Sequence, residues 1–440
     1  MYVIVILWQG RDSGRPSSYR PTSAQLDAIA ALPGGISTGG MDRCRAVVLE
    51  APGKDIFCVT VSKAVFWNIF KKIIIFACIL ILGLGFRLFI AQPVADRAYP
   101  LKGNYRSFAD NSMVALQSMF NLAAGHWMNT AWWQQAEALE TTIDYSARTS
   151  AITYTSDITI AFNDNKYTGF LNKFYDDEGW WAITWIKAYD LTGTSDYLAM
   201  AKSIFNDMAR GWDSTCGGGL WWSKARTYKN AIPNELFFTI AARLHQRTPG
   251  DTMTGGGGPR NMSYIKWAGK EWQWFKSSGM INSSNLVNDG LDIDGKTCRN
   301  NGQNPWTYNQ GVILGGLTDM YRITGDISYL AQAEAIADAN IITNVNDNGI
   351  LYEKGCEPAE SCDEDGVQFK GIFIKNLYYL YQADNKQAYK DFIIKNAAAI
   401  LRHDRDGSNN FGLHWDGPFD KSQPNRQSSA MDTLNAAMVL

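Results

Sequence analysis

The sequence predicts an all-α fold: a toroid of helix hairpins, preceded by a separate apolar helix near the N-terminus. Three observations carry this. From about Asn104 onward, apolar residues recur at intervals of three and four, as in Trp181, Trp185 and Ile186, Tyr189, the spacing of one helix face. A segment also repeats. "YDLTGTSDYLAMA" (Tyr189 to Ala201) and "YRITGDISYLAQA" (Tyr321 to Ala333) share Tyr, Thr-Gly, Tyr-Leu-Ala and a final Ala at equal offsets, and a weaker copy, "YQADNKQAYKDF", begins at Tyr381. Each copy reads as helix, Gly- or Asn-centred turn, helix; such hairpins bury their faces by stacking on neighbours. Strand signals are few. "TYTSDITIAF" (Thr153 to Phe162) is the main one, and a helix or loop is favoured there.

In chain order, residues 1–72 form an N-terminal tail. Met1 to about Ser62 carries Gly, Pro, Ser and Arg without sustained periodicity, which reads as disordered, or cytosolic if the next segment is an anchor. Ile73 to Ala91 is apolar with one charge, Arg87, and follows Lys71 and Lys72. As a helix it spans about 28 Å, close to the ~30 Å hydrocarbon core. It reads as a membrane anchor, with the basic flank leaving the N-terminus in the cytosol, or as a cleaved signal peptide, or as a core helix. The first two readings export the rest of the chain. Residues 103–440 then form the main domain. About twelve helical segments fit there, antiparallel where turns are short. Their Gly-, Asn- and Trp-rich connections are expected to gather at one end as a cleft.

Composition narrows the function. The chain has 440 residues, 46% hydrophobic and 19% charged, enough to bury a large core. A net charge of −2 argues against nucleic acid as a partner. The 16 Trp suit the C–H faces of sugars as well as they suit a core. Of the seven cysteines, four lie in the main domain: Cys356 and Cys362 flank a short acidic loop, "CEPAESC", and make a natural local pair, leaving Cys216 with Cys298; four free buried thiols are the other reading. Asn261 and Asn282 head glycosylation sequons, compatible with export. The four His are scattered and no Cys/His ligand spacing is present, so neither a metal nor a cofactor is expected. "DIDG" (Asp292 to Gly295) and "DRDG" (Asp404 to Gly407) lack the full calcium-loop spacing and read as tight turns.

The chemistry centres on "NKFYDDEGWW". Asp176 and Asp177 are adjacent, and Glu178 and a pair of tryptophans follow. Glycosidic cleavage with retention needs two carboxyl groups about 5–5.5 Å apart, and neighbouring residues, about 3.8 Å apart at Cα, reach that without help. Mutual repulsion and nearby indoles raise one pKa, giving an acid and an ionised nucleophile from one residue type. The other reading is a helix N-terminus, where acids meet unpaired N–H groups. Trp181, Trp221, Trp222, Asn230, Tyr308 and Asn309 are the expected sugar-binding residues. Core packing is the alternative for the tryptophans, and helix capping for Tyr308, Asn309 and Gln310.

Taken together and in order, "GFLNKFYDDEGWWAITWIKAYDLTG", "CGGGLWW", "KNAIPNEL", "WTYNQGVILGGL" and "FKGIFIKNLYYL" make the chain from about Gly103 onward resemble glycoside hydrolase family 76, the endo-α-1,6-mannanases. The resemblance implies an (α/α)6 barrel and a retaining enzyme, with Asp176 as nucleophile and Asp177 as acid/base. It implies α-1,6-mannan or a mannosylated glycan as substrate; with the export that residues 73–91 direct, the expected place of action is extracellular, membrane-anchored or in the cell wall, and a monomer is expected. Two other functions stay open: a transglycosidase joining mannosylated anchor glycans to wall glucan, and a non-catalytic mannan-binding protein. The C-terminal "SSAMDTLNAAMVL" lacks the spacer and hydrophobic tail of the family's fungal wall members, so any anchor is expected at the N-terminus. The last helix ends with the chain, so a slightly truncated barrel is expected.

Overall fold

The computed structural model describes residues 3–7, 45–50, 57–61, 105–252, 262–295 and 297–440. They fall into two units, residues 1–97 and 98–440. In the first, β1 (Val3–Leu7), β2 (Arg45–Glu50) and β3 (Phe57–Val61) pair as an antiparallel sheet in that order. Runs such as "VIVIL" and "FCVTV" are rich in β-branched residues, which favour strands. The apolar segment Ile73 to Ala91 and the sequon at Asn261 lie outside the described residues. Among those described, no helix is long and apolar enough to cross a membrane.

The second unit begins with α1 (Tyr105–Ser118), a short hairpin of β4 (Phe120–Asn121) and β5 (His126–Trp127), α2 (Trp132–Thr149) and α3 (Thr155–Asn165). Then come α4 (Tyr175–Thr192), α5 (Ser195–Met208), β6 (Lys229–Asn230), α6 (Ala231–Arg247) and α7 (Tyr264–Ser277). β7 (Gly290–Asp294) and β8 (Thr297–Asn300) extend β6 into a small sheet, and α8 (Thr307–Thr324), α9 (Ile327–Thr343), α10 (Phe369–Asp384), α11 (Gln387–His403) and α12 (Pro424–Ala437) complete the chain. The even-numbered helices pack side by side in a closed ring, α12 returning against α2, and the odd-numbered helices pack outside it. This is an (α/α)6 barrel. The truncation expected at the C-terminus is corrected by this closure: α12 is buried along its whole length between α10 and α2. The ambiguous Thr153 to Phe162 stretch is a turn at its first two residues and then helix α3.

The repeat has a physical basis. Gly193, Gly325 and Asn385 end α4, α8 and α10 with φ of 72°, 72° and 54°. Each donates its N–H to the carbonyl four residues back, at Tyr189, Tyr321 and Tyr381, all at 2.8 Å. Gly, or Asn, takes this left-handed cap at little cost. Each inner helix thus hands the chain outward in the same geometry.

The return from outer to inner helix repeats as well. A side chain in the fourth position of the next inner helix clamps the loop backbone. Asn234 accepts from Leu220 N at 2.6 Å, Gln310 from Val287 N at 2.8 Å and Gln427 from Phe411 N at 2.8 Å. Buried loop amides need such partners. Gln310, read above as a helix-capping candidate, is therefore committed to holding this loop. At the far end of the ring, Lys375 pairs with Glu137 and Glu140 at 2.6 and 2.8 Å, and Lys187 with Glu140 and Asp144 at 2.7 and 2.8 Å.

Candidate active site

The N-termini of the inner helices converge on a cleft of about 530 Å³. α4 starts after Phe174, whose backbone is extended, and Asp176, Asp177 and Glu178 fill its first turn. Successive residues of a helix turn by a hundred degrees or so, so the three acids cannot share a face. Asp176 and Asp177 face the cleft. Glu178 is buried in the wall, where it accepts from Asn172 N at 3.0 Å and pairs with Lys224 at 2.7 Å. It occupies the fourth position of its helix, the place held by Asn234, Gln310 and Gln427 in the others. Its role is to clamp the loop.

The two remaining acids have unlike surroundings. Asp176 accepts from the Trp222 indole Nε1 at 2.8 Å through one oxygen and from Asp177 N at 3.0 Å through the other. Asp177 accepts from the Asn172 amide at 2.5 Å through Oδ2. Burial pushes both acids up, and the neighbouring Asp177 carboxylate raises Asp176 further. Asp177 reaches about 6, burial outweighing the lowering effect of the Asn172 amide, with Asp365 adding to the rise. The pair therefore keeps a proton toward neutral pH. Both Asp176 oxygens face N–H donors, which favour a carboxylate. Oδ1 of Asp177 has no hydrogen-bond donor among the described residues.

Aromatic rings wall the cleft. Trp133 stacks with Trp180 at 5.4 Å, Tyr308 with Phe369 at 3.8 Å, and Phe174 lies 4.6 Å from Trp222. Two further acids complete it. Asp365 accepts from Trp133 Nε1 at 2.8 Å, and Asp289 accepts from the Tyr228 hydroxyl at 2.6 Å, which in turn accepts from Asn301 at 2.9 Å.

The two disulfides sit where these loops need support. Cys356–Cys362 (Cα–Cα 4.7 Å) closes the loop just before Asp365, and Cys216–Cys298 (5.4 Å) ties the Gly-rich loop before Trp222 to β8. Lys229, fully buried, grips that same loop through Asp213 Oδ1 at 2.9 Å and the carbonyls of Thr215, Gly218 and Gly219 at 2.8, 2.6 and 2.9 Å. A buried ammonium needs such a cage.

Of the expected sugar-binding residues, Trp222, Asn230 and Tyr308 line the cleft with the aspartate pair. The other three are corrected. Trp181 is in the core, stacked on Trp185 at 5.6 Å and against Phe170 at 4.8 Å, because it lies on the face of α4 opposite the ring interior. Trp221 is 7% exposed and donates to Asp213 at 2.7 Å, since alternation along an extended segment sends it away from Trp222. Asn309 is fully buried and does not line the cleft. The Asn282 carboxamide is occupied, donating to Asn288 at 2.8 Å and accepting from Ser284 N and Leu286 N. Sequence reasoning missed Trp133, Trp180, Tyr228, Asp289, Asp365 and Phe369. Asp365 follows a cysteine in an acidic run and Asp289 precedes a glycine, patterns that read as solvated turns.

The family model for glycosyl hydrolase family 76 matches residues 104–440. The chain belongs to glycosyl hydrolase family 76. That places it among enzymes that cleave glycosidic bonds. Curated relatives include a putative mannan endo-1,6-alpha-mannosidase of Schizosaccharomyces pombe, 29% identical over 59% of this chain and 61% of the relative. The mannan endo-1,6-alpha-mannosidase DCW1 of Saccharomyces cerevisiae is 28% identical over 69% of this chain and 71% of its own length. Solved structures with this fold include an alpha-1,6-mannanase of Salegentibacter sp., as an inactive variant with two adjacent aspartates changed to asparagine, in complex with alpha-1,6-mannotriose. It has a TM-score of 0.68 at 20% identity, over 76% of this chain and 99% of that one. Dfg5 from Chaetomium thermophilum, in complex with glucosamine, has a TM-score of 0.62 at 21% identity, over 76% and 89%.

Proposed function

We propose that the chain is a retaining endo-glycosidase acting on α-1,6-mannosidic linkages. The observation that carries this is the inequality within the aspartate pair: Asp176 is ringed by N–H donors while Asp177 keeps one oxygen free for a proton. In the first step Asp176 attacks the anomeric carbon and forms a glycosyl ester, as Asp177 passes its proton to the departing glycosidic oxygen. In the second, Asp177, now ionised, takes a proton from water; that water attacks the anomeric carbon and the ester bond breaks, returning Asp176 as a carboxylate. Stacked rings such as Trp180 and Tyr308 suit pyranose faces. The mannan-directed names of the relatives and the paired aspartates altered in the inactive Salegentibacter enzyme support the reading.

A second reading is favoured by the aromatic walls. They thin the water around the ester and offer a platform to a sugar, so a sugar hydroxyl competes as acceptor and the product is a transferred glycan. The two disulfides fit an oxidising compartment, in keeping with action at the cell surface or wall and with export directed by residues 73–91.

The test is incubation with linear and branched α-1,6-mannans, with and without an added glycan acceptor, reading products by mass and the anomeric configuration by NMR. Retained α-configuration is expected, with Asp176→Asn inactive on every substrate. Inverted product, or near-wild-type turnover by Asp176→Asn, would reject the mechanism.

A further inference from the structure

The charge of the cleft is one-sided. Four carboxyl groups line it, those of Asp176, Asp177, Asp289 and Asp365, the first two holding one proton between them, and among the described residues no Lys, Arg or His does. Two of the four belong to the reacting pair. The other two are tethered in place, Asp289 by the Tyr228 hydroxyl and Asp365 by the Trp133 indole. Of the charged groups around them, Asp363 and Glu364 adjoin Asp365, Glu364 is paired with Lys421 and Arg426 at 3.4 and 3.9 Å, and Lys173 is a cation that acts on Asp177. A low-dielectric cleft with one sign of charge concentrates that field on whatever enters.

We propose that Asp289 and Asp365 are specificity-determining residues that screen glycans by charge, admitting neutral mannosides and turning away phosphate-substituted ones. The inference rests on the mannosidase reading and goes beyond it by assigning the substrate's charge class. A phosphate about 10 Å from each carboxylate, at an effective dielectric of roughly 20–40, loses on the order of tenfold in binding per carboxylate. Salt weakens the effect, because the Debye length falls to about 3 Å at 1 M.

The experiment compares α-1,6-mannotriose with the same trisaccharide carrying a 6-phosphate on its non-reducing sugar, at pH 7.5, in low and high salt. For the wild-type protein, kcat/KM for the phosphorylated sugar should be lower by on the order of tenfold or more, and the gap should narrow in salt. Asp289→Asn and Asp365→Asn should each close the gap by several-fold. The ratio of the two substrates is the readout, so a general loss of activity in either variant does not mask it. Calorimetric binding of both sugars to Asp176→Asn reads the same preference without turnover. If the wild type cleaves neither sugar yet Asp176→Asn binds the neutral one better, the charge screen holds and the assigned reaction falls. Equal kcat/KM for the two sugars, or a gap that neither variant narrows, overturns the proposal.

Discussion

Replacing Trp222 with Phe isolates one bond. The indole Nε1–H donates to Asp176 at 2.8 Å, and Phe keeps a ring against Phe174, whose centroid lies 4.6 Å away. The backbone contacts of residue 222, to Tyr228 O at 2.8 Å and from Tyr175 N at 2.9 Å, are untouched. What is lost is a hydrogen bond to a charged acceptor in a buried setting, about 1.5–3 kcal/mol. The loss falls on the ionised form of Asp176, because a carboxylate accepts that N–H better than a carboxylic acid does. Two results follow. Turnover at neutral pH should drop roughly 10- to 150-fold, from the tenfold per 1.36 kcal/mol of barrier. The acidic limb of the pH–rate profile should also move upward, so that raising the pH restores part of the activity. The assay is kcat/KM on α-1,6-mannotetraose from pH 4 to 9, beside a thermal melt. An unshifted acidic limb with a normal melt would refute the claim that Trp222 holds Asp176 ionised. A collapsed melting temperature would assign the ring to packing instead.

Asp177→Asn should lower mannan turnover by about 10²–10⁴, yet spare the first step on aryl mannosides whose leaving group needs no proton; a burst of released phenol checks this. The disulfides should differ in worth. By loop-closure entropy, Cys216–Cys298, spanning 82 residues, contributes about 4.5 kcal/mol. Cys356–Cys362, spanning 6, contributes about 2 kcal/mol. Paired Cys→Ser variants should therefore show the larger loss of stability for Cys216–Cys298 in denaturant melts. Stability should also peak at mildly acidic pH. Burial pushes Glu178, Glu271, Glu353 and Asp404 up to about 8, so the folded state holds protons that the unfolded chain has lost, and stability falls as pH rises from about 4.5 through 8. At the acid end, Asp213 is held down to about 2: burial raises it, and the Trp221 and Lys229 hydrogen bonds outweigh that. Its stabilisation is lost as pH falls below about 4. Melting temperatures at pH 2.5, 4 and 8.5 should be highest at 4.

The helical class, the hairpin repeat and the aspartate pair were legible in the sequence because each rests on spacing along the chain. Apolar residues at three and four mark a helix wherever it later packs. A left-handed cap requires Gly or Asn at a set offset from the preceding Tyr. Two adjacent carboxylates remain adjacent in any fold. The paired cysteines of "CEPAESC" are of the same kind, since six residues cannot stray far. Other features depended on direction. Whether Trp221 or Trp222 faces the cleft turns on the alternation of one short extended segment. Whether Glu178 joins Asp176 and Asp177 depends on a rotation of one residue around α4, and the clamp it makes became visible only beside Asn234, Gln310 and Gln427 in the sibling helices.

Asp289 and Asp365 were out of reach for a different reason. They lie 112 and 188 residues beyond Asp177 in the chain (289 − 177 and 365 − 177), and in the sequence each looks like part of a solvated turn. The closed ring brings them together, because every inner helix presents its N-terminus at the same end. The sequence by itself determined which chemistry was possible, since two neighbouring carboxylates before a tryptophan-rich helix are a local fact. Only the tertiary structure decided the charge and walls of the space around them, because a cleft is made by residues that meet through packing, and packing follows three-dimensional neighbours rather than chain order.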